Sequence, residues 1–266
     1  MNLKKWMRKK RRQIKLERLA RQGKACHPKQ WIFVVGCYNS GTTLLHDVIA
    51  SHPAVAHLPR EGQYCTDQLT IPSEVGMTRI WALQPDTFIP SKNNEPDAEK
   101  LKRQWCGLMS NPTLPVFLEK SIPNAARITW LNDHFPNAHF IALIRNGYAV
   151  SEGIRRKAGQ SVEIAAKQWK QSNRIMLDQL EQVEHKLLLK YEDITSQPAE
   201  SMDKIMDFLK LDGSKLVTDK KWTVHGVKSN IRNMNQRSIE RLSEEDKAFI
   251  KQEAGELLDA FHYNAE

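Results

Sequence analysis

Residues 31–49 read WIFVVGCYNSGTTLLHDVI, and this stretch decides the fold. The five residues before Gly36 are all aromatic or β-branched, which is typical of a buried strand that ends at a glycine. From Thr43 onward apolar residues recur on one helical face, until Pro53 ends the pattern. A strand, a glycine loop and a helix are therefore predicted to follow one another directly.

The loop between this strand and this helix has the glycine spacing of a phosphate-binding P-loop, G-x-x-x-x-G, from Gly36 to Gly41. Such a loop turns successive backbone N–H groups toward one concavity at a helix N-terminus, where an anion is favoured. The next residue is Thr42, where an enzyme that acts on nucleoside triphosphates carries a lysine. Since a polyphosphate with its metal ion would be poorly neutralised here, the loop better suits a single activated phosphate that needs no metal.

Beyond the loop, strands and helices alternate at intervals that predict a doubly wound parallel sheet. The clearest strand, 139–145, is apolar almost throughout and should be central. We therefore expect an α/β chain, a three-layer P-loop fold with a central parallel sheet flanked by helices. Further strands are predicted over 54–58, 115–120 and 186–191, and helices over 95–109, 122–135, 147–157, 161–184, 198–210 and from Ser243 onward, with 212–242 irregular.

Length and composition indicate one folded domain. The 266 residues, 40% of them hydrophobic, are enough for one sizeable core, which we assign to residues 25–266. Within it, the poorly periodic stretch 62–114 is predicted to line a binding site. No apolar run approaches the roughly 18 residues that a membrane span requires, and the N-terminus is too charged for a signal peptide. We therefore expect a cytoplasmic location.

The net charge of +9 belongs to a basic N-terminal extension, residues 1–24, which carries eleven Lys or Arg against Glu17 alone. The rest of the chain is close to neutral, so no nucleic-acid partner is expected. We interpret the extension first as a solvated, partly disordered segment. The alternative is a basic amphipathic helix that lies on an anionic membrane surface or on nucleic acid. The apolar residues of that helix would be Leu3, Trp6, Met7, Ile14 and Leu19.

The four cysteines, Cys26, Cys37, Cys65 and Cys106, form no C-x-x-C pair and have no metal-ligand spacing with histidine. We expect a reduced setting, with neither disulfides nor structural zinc. Cys37 lies inside the glycine loop, where a lowered pKa would be possible. Without a partner histidine nearby in sequence, we interpret it as a packing residue.

Four segments resemble the sulfotransferases that use 3′-phosphoadenosine 5′-phosphosulfate (PAPS) as donor. Residues 40–43, SGTT, match the family's 5′-phosphosulfate loop, and residues 139–149, HFIALIRNGYA, look like its second signature. Residues 187–211 are similar to its Tyr-Glu segment, and residues 117–123, FLEKSIP, resemble a segment of the protein-tyrosine sulfotransferases. The matches run in the right order over about 31–261. The resemblance implies PAPS as co-substrate, adenosine 3′,5′-bisphosphate as product, and no metal.

The resemblance also implies a donor site. The loop would hold the 5′-phosphosulfate, Arg145 and Arg232 the 3′-phosphate, and Tyr191 would lie by the adenine. The segment 231–235 would close over the donor. The residues implied to bind the donor are Tyr38, Asn39, Ser40, Gly41, Thr42, Thr43, Leu44, Arg145, Ser151, Tyr191, Arg232 and Asn235.

Two positions depart from the family pattern. Asn39 stands where the family has Lys or Arg, and an amide cannot neutralise developing charge, so another cation must take that role. Lys120 is our candidate. The family's serine eight residues after Arg145 falls on Gly153, whereas Ser151 lies about 200° away on a helix and can substitute only if the alignment shifts. The basic cluster 155–157 is a second source of charge.

The expected chemistry is an in-line displacement at sulfur, which requires a base near the acceptor and a cation on the departing oxygen. Glu61 follows the second predicted strand and is our leading base, with Lys120 as the electrophilic stabiliser. His57 and His134 are weighed as alternative bases, but we interpret both as packed side chains.

The acceptor stays open among a sugar, a lipid, a peptide tyrosine and a small metabolite, and so does the oligomeric state. Two alternative functions are kept. The first is a P-loop nucleotide kinase, against which Thr42 argues. The second is a catalytically silent nucleotide-binding or membrane-docking protein, which Asn39 and the basic extension would fit.

Overall fold

A five-stranded parallel sheet forms the centre of the molecule, with strand order β2-β3-β1-β4-β5. The computed structural model describes residues 3–22, 26–216, 222–224, 227–229 and 232–265. The strands are β1 Gln30–Gly36, β2 Val55–His57, β3 Val116–Lys120, β4 Ala138–Ile144 and β5 Lys186–Lys190. A separate antiparallel pair consists of β6 Trp222–Val224 and β7 Val227–Ser229.

Helices cover both faces of the sheet. They are α1 Leu3–Gln22, α2 Thr42–Ile49, α3 Ala98–Cys106, α4 Ile128–His134, α5 Gly147–Ala158, α6 Val162–Glu181, α7 Tyr191–Ser196, α8 Pro198–Leu209, α9 Asn235–Ile239 and α10 Glu244–Ala260. Alternate residues of β1 enter different cores: Trp31 and Phe33 pack with α3, α4 and α6, whereas Ile32 and Val34 pack with α2 and α8. Both β1 and β4 are buried along their whole length. The predicted three-layer α/β fold is confirmed.

Most predicted elements appear within a few residues of their expected bounds. The helix predicted over 122–135 is wrong in detail, because the structure has a 3₁₀ helix at Ile122–Ala126 before α4. Arg127, with φ of −128°, separates the two. Residues 212–242, expected to be irregular, contain the antiparallel pair β6–β7 and α9, and Ser243 caps α10 through a capping box with Asp246.

Residues 3–22 of the N-terminal extension form a helix that packs on the domain, so the interpretation of this part as a solvated, partly disordered segment is wrong. Leu16 of α1 is only 2% exposed. The Arg12 guanidinium donates hydrogen bonds to the backbone carbonyls of Gln63, Tyr64 and Thr66. Because Arg12 has fixed hydrogen-bond acceptors on the domain, α1 lacks the conformational freedom that a solvated run of like charges would keep. Across the described residues, no helix is long and apolar enough to cross a membrane.

A disulfide joins Cys26, just before β1, to Cys106, the last residue of α3. The expectation of no disulfide is wrong. It rested on local spacing, and these cysteines are 80 residues apart in sequence while their Cα atoms lie 5.6 Å apart in the fold. The bond removes the cysteine argument for a reducing compartment, since disulfides persist mainly in oxidising environments.

Candidate active site

A cavity of about 720 Å³ opens at the carboxyl ends of the parallel strands. Ligands of doubly wound sheets bind at this edge. Its walls come from the glycine loop after β1, the segment after β2, the ends of β3 and β4, and the first turn of α7 after β5. Among the described residues Glu61 is the one carboxylate that lines it. The lining cations are Arg79, Lys120, Arg145, Arg156, Lys157, Arg232, Arg237 and Arg241.

The glycine loop is shaped by two residues in the left-handed region, Asn39 with φ of 62° and Gly41 with φ of 94°. A Cβ on Gly41 would lie 2.7 Å from the Tyr191 ring, so only glycine fits this contact. Gly41 is the N-cap of α2, and no side chain caps that helix terminus. The amides of the first turn thus have no side-chain cap, which an anion-binding helix terminus requires.

The predicted base and the predicted cation are in direct contact. Lys120 Nζ lies 2.7 Å from Glu61 Oε1 and donates a second hydrogen bond, of 3.2 Å, to Thr43 Oγ1 in the loop. The second carboxylate oxygen of Glu61 accepts a 2.8 Å hydrogen bond from Gln63 Nε2. One ammonium group therefore connects the only lining carboxylate in the described part of the chain to the hydroxyl of the glycine loop.

Glu119, which sequence reasoning missed, fastens this arrangement from beneath. It is 1% exposed, and its Oε1 accepts hydrogen bonds from the Gly62 N–H, at 2.8 Å, and from the Ser121 hydroxyl. Its Oε2 accepts a 2.7 Å hydrogen bond from Asn124 Nδ2. Burial raises the pKa of Glu119 to about 7. Its contacts tie Gly62, the residue after Glu61, to Ser121, the residue after Lys120. The sequence shows only a glutamate directly after the apolar run 116–118, which does not reveal these partners.

Arg145 is buried at the opposite side of the loop, 8% exposed. Its Nη1 donates to the backbone carbonyl of Asn39 at 2.7 Å, and its Nε donates to Asn235 Oδ1 at 2.8 Å. The guanidinium also lies 4.1 Å from the centre of the Tyr191 ring. Burial lowers the pKa of Arg145. Arg145 therefore makes buried contacts with the loop, instead of the surface ion pair that an arginine at the end of a strand ordinarily forms.

The C-terminal segment expected to close over the donor meets Arg145 and Tyr191. The Tyr191 hydroxyl donates a 3.0 Å hydrogen bond to the carbonyl of Arg232, whose side chain lines the cavity. Asn235 is behind the cavity wall and bridges Arg145 to Glu192, to which its Nδ2 donates at 2.6 Å. Ile231, the first residue of that segment, lies outside the described residues.

The two departures from the family pattern, Asn39 and Gly153, are in contact with each other. A Cβ on Gly153 would lie 3.0 Å from Asn39 Nδ2. Gly153 lines the cavity, whereas Ser151 is fully buried on another side of α5, and its hydroxyl has no hydrogen-bond partner in the described part of the chain. The structure therefore does not bring Ser151 to the site, because the 200° turn along α5 points it elsewhere.

Ser40 also fails to reach the cavity, since it is completely buried and its hydroxyl lacks a partner among the described residues. By contrast Tyr38, Asn39, Gly41, Thr42, Thr43 and Leu44 all line it. Arg79 was missed, because nothing in the poorly periodic segment 62–114 marks it. Its Nη1 donates a 3.3 Å hydrogen bond to Asn39 Oδ1, and it lines the same cavity.

The alternative reactive residues are packed as expected. His57 Nδ1 pairs with the Leu58 carbonyl, and His134 Nδ1 pairs with the Trp130 carbonyl; neither histidine lines the cavity. Cys37 is 1% exposed, and burial raises the pKa of its thiol to about 11. A thiol in this state is not a nucleophile at neutral pH.

Comparisons with known proteins identify the fold and the family of this chain. A protein-tyrosine sulfotransferase A from Caenorhabditis elegans is 26% identical over 204 residues, which cover 67% of this chain and 49% of the relative, so the chain spans about half the length of that curated relative. The sulfotransferase domain of the Synechococcus PCC 7002 olefin synthase superposes with a TM-score of 0.61 at 22% identity, covering 91% of this chain and 99% of that domain.

The sulfotransferase domain of the curacin biosynthetic pathway superposes with a TM-score of 0.52 at 20% identity, over 90% of this chain and 99% of that domain. At these identities the two solved structures support the fold alone. The model of the sulfotransferase family matches residues 30–215, which include β1 to β5, the glycine loop, Lys120 and Arg145. The chain belongs to the sulfotransferase family.

Proposed function

We propose that the protein transfers a sulfuryl group from PAPS to a hydroxyl group of an acceptor. The observation that carries this proposal is the contact of Lys120 with both Glu61 and Thr43 at a glycine loop that has no lysine of its own. A base, a cation and an anion-binding loop then meet within hydrogen-bonding distance.

The residues of the site fit a nucleotide with several negative charges. Cations greatly outnumber carboxylates around the cavity, and the first-turn amides of α2 have no side-chain cap. In this proposal the loop from Tyr38 to Leu44 holds the 5′-phosphosulfate, while Arg145 and Arg232 hold the 3′-phosphate. Tyr191, fixed between Gly41 and Arg145, bounds the nucleoside side of the pocket. Bound PAPS would supply an activated sulfuryl group.

Glu61 and Lys120 divide the work of the transfer. Glu61 accepts the proton of the acceptor hydroxyl while that oxygen bonds to sulfur and the S–O bond to the 5′-phosphate breaks. Lys120 donates to the bridging oxygen, which keeps the electron pair of the broken bond in adenosine 3′,5′-bisphosphate. The contact of Lys120 with Thr43 of the loop supports this role, because a loop that held the phosphosulfate would bring that oxygen close to the ammonium group.

The segment 62–114 is proposed to select the acceptor. It contributes Gln63, Tyr64, Thr78 and Arg79 to the cavity wall on the side of Glu61. The kinase alternative is not favoured, because Thr42 occupies the position of the lysine that would hold a nucleoside triphosphate.

A contact with membranes is proposed for the outer face of α1. Trp6, Met7 and Ile14 are 42%, 41% and 62% exposed, and Lys10 lies 5.0 Å from the centre of the Trp6 ring. Apolar and cationic side chains thus share the solvent face of a helix whose other face packs on the domain. Such a face suits the boundary region of an anionic bilayer.

The test is to incubate the purified protein with PAPS labelled in its sulfuryl group and a host-cell extract, and then to identify the species that gains label. Glu61→Gln is the matched control, because it keeps the shape of the side chain and removes the base. Label transfer by the wild type alone supports the proposal. Calorimetric binding of adenosine 3′,5′-bisphosphate with no transfer to any acceptor would favour the catalytically silent alternative.

A further inference from the structure

Arg79 holds an unusual backbone conformation at the wall of the cavity. It is a non-glycine residue with φ of 62°, in the left-handed region. Such residues cost about 1–2 kcal/mol each and persist where the surroundings fix them. The strain is therefore compensated by what the side chain contacts.

Those contacts are both in the glycine loop. Arg79 Nη1 donates to Asn39 Oδ1 at 3.3 Å, and its guanidinium carbon lies 5.4 Å from the centre of the Tyr38 ring. Asn39 Nδ2 is buried without a partner among the described residues, so Arg79 provides the hydrogen bond that orients this amide. Asn39, which has no charge of its own, thereby positions the guanidinium of Arg79, which comes from a distant segment.

The charge of Arg79 is not compensated by a carboxylate within the described part of the chain. Lys120 is paired with Glu61, and Arg156 with Glu152, whereas Arg79 forms no such ion pair. Burial, and after it the charges of Arg79 and Arg156, lower the pKa of Lys157. Cations that repel one another around a cavity favour binding of an anionic ligand between them.

We propose that Arg79 contacts the sulfuryl group of the donor and supplies the cation that the glycine loop lacks at Asn39. This inference rests on the proposed function. Arg145 reaches the main-chain carbonyl of Asn39 and lies on Tyr191, at the nucleoside side. Arg79 reaches the side chain of the same residue from the segment that follows Glu61. The two arginines thus approach the loop from different elements, and Arg79 lies on the side of the cavity where the acceptor is proposed to bind.

During transfer, Arg79 donates hydrogen bonds to the sulfuryl oxygens while the acceptor oxygen bonds to sulfur. The S–O bond to the 5′-phosphate breaks, its electron pair remains on the phosphate oxygen, and Glu61 takes the acceptor proton. A fixed cation next to the sulfuryl group stabilises charge there without having to reorganise. Arg79 therefore acts with Lys120, one at the transferred group and one at the departing oxygen.

Three nucleotides distinguish a sulfuryl contact from any other anion contact. PAPS carries both the sulfuryl group and the 3′-phosphate, adenosine 3′,5′-bisphosphate lacks the sulfuryl group, and adenosine 5′-phosphosulfate lacks the 3′-phosphate. Calorimetry on the full chain would compare wild type, Arg79→Ala and Arg79→Lys. The matched control is Arg103→Ala, an exposed arginine of α3 in the same segment, which should leave all three affinities unchanged.

Arg79→Ala should weaken binding of PAPS and adenosine 5′-phosphosulfate by roughly tenfold to a hundredfold, the scale of one charge-assisted hydrogen bond. Binding of adenosine 3′,5′-bisphosphate should change less than about threefold. Arg79→Lys should recover part of the loss. If instead both 3′-phosphorylated nucleotides weaken together, or none of the three changes, the proposal is wrong.

Failure of the proposed function would look different, because wild type would then either bind none of the three nucleotides or bind them and transfer no sulfuryl group to any acceptor. Should Arg79→Ala not fold, Asn39→Ala removes the anchor of the guanidinium and keeps the arginine. It should give a smaller loss with the same preference for the sulfated nucleotides. An equal loss for all three nucleotides in that variant would also contradict the proposal.

Discussion

Replacing Glu119 by Gln tests whether a buried carboxylate fastens the Glu61 segment to β3. The carboxylate accepts hydrogen bonds from Gly62, Ser121 and Asn124 and is 1% exposed. Glutamine keeps the shape and one carbonyl acceptor, but its NH₂ group faces a donor on the other side. One buried hydrogen bond is lost, which costs about 1–3 kcal/mol of unfolding free energy.

The size of this cost depends on pH. Burial raises the pKa of Glu119 from 4.5 to about 7 in the folded state. Between these two values the folded protein binds the proton more tightly than the unfolded chain, so the stability of the wild type falls as pH rises from about 4.5 to about 7. Glutamine does not titrate. The difference between wild type and Glu119→Gln should therefore shrink by roughly 2–3 kcal/mol from pH 5 to pH 8.

Urea unfolding followed by tryptophan fluorescence at pH 5, 6, 7 and 8 would measure this difference. Glu184→Gln, at an exposed position, serves as the control and should show no such trend. A stability difference that stays constant with pH, or that grows as pH rises, would refute the reasoning. In either case Glu119 would be ionised in the folded protein at pH 5, despite its burial.

Three further outcomes are expected. Lys120→Ala should slow sulfuryl transfer by roughly a hundredfold or more, the effect of losing one preorganised charge, in the labelled-donor assay; a near-normal rate would remove Lys120 from the mechanism. Gly41→Ala should abolish calorimetric binding of adenosine 3′,5′-bisphosphate, because its Cβ would lie 2.7 Å from Tyr191, and retained affinity would contradict the loop geometry. Replacing Trp6 and Ile14 together by Ala should reduce sedimentation with phosphatidylserine vesicles at least about tenfold without changing transfer, since both side chains are exposed; equal sedimentation would exclude membrane contact through α1.

The fold could be predicted because its signals are local. Residues 31–49 encode strand, loop and helix within one short stretch. The run 139–145 is short and almost entirely apolar, which is typical of a buried strand. The last helix begins directly after Ser243, because its N-cap and its acidic first turn are adjacent in sequence. Each of these features is decided by residues within a few positions of one another.

The features that were missed depend on contacts between distant segments. Cys26 and Cys106 meet across 80 residues, and Arg12 finds its carbonyl acceptors about 50 residues away. In the sequence Glu119 does not differ from other polar strand residues, and only the fold brings the Gly62 N–H to its carboxylate. Neither spacing nor periodicity carries this information, because the partners of each residue are brought together only by the tertiary fold.

The absence of a lysine from the glycine loop is therefore weak evidence for an inactive protein. Around this loop the positive charge is distributed over three segments: Lys120 at the end of β3, Arg145 after β4, and Arg79 in the excursion between β2 and β3. Two of these cations touch Asn39 through its main-chain and side-chain oxygens. An asparagine at this position can collect cations because it offers acceptors, whereas a lysine would repel them. A loop of this kind depends on the fold of the segment 62–114 for part of its positive charge. A change that loosens this segment should therefore weaken donor binding as well as selectivity for the acceptor.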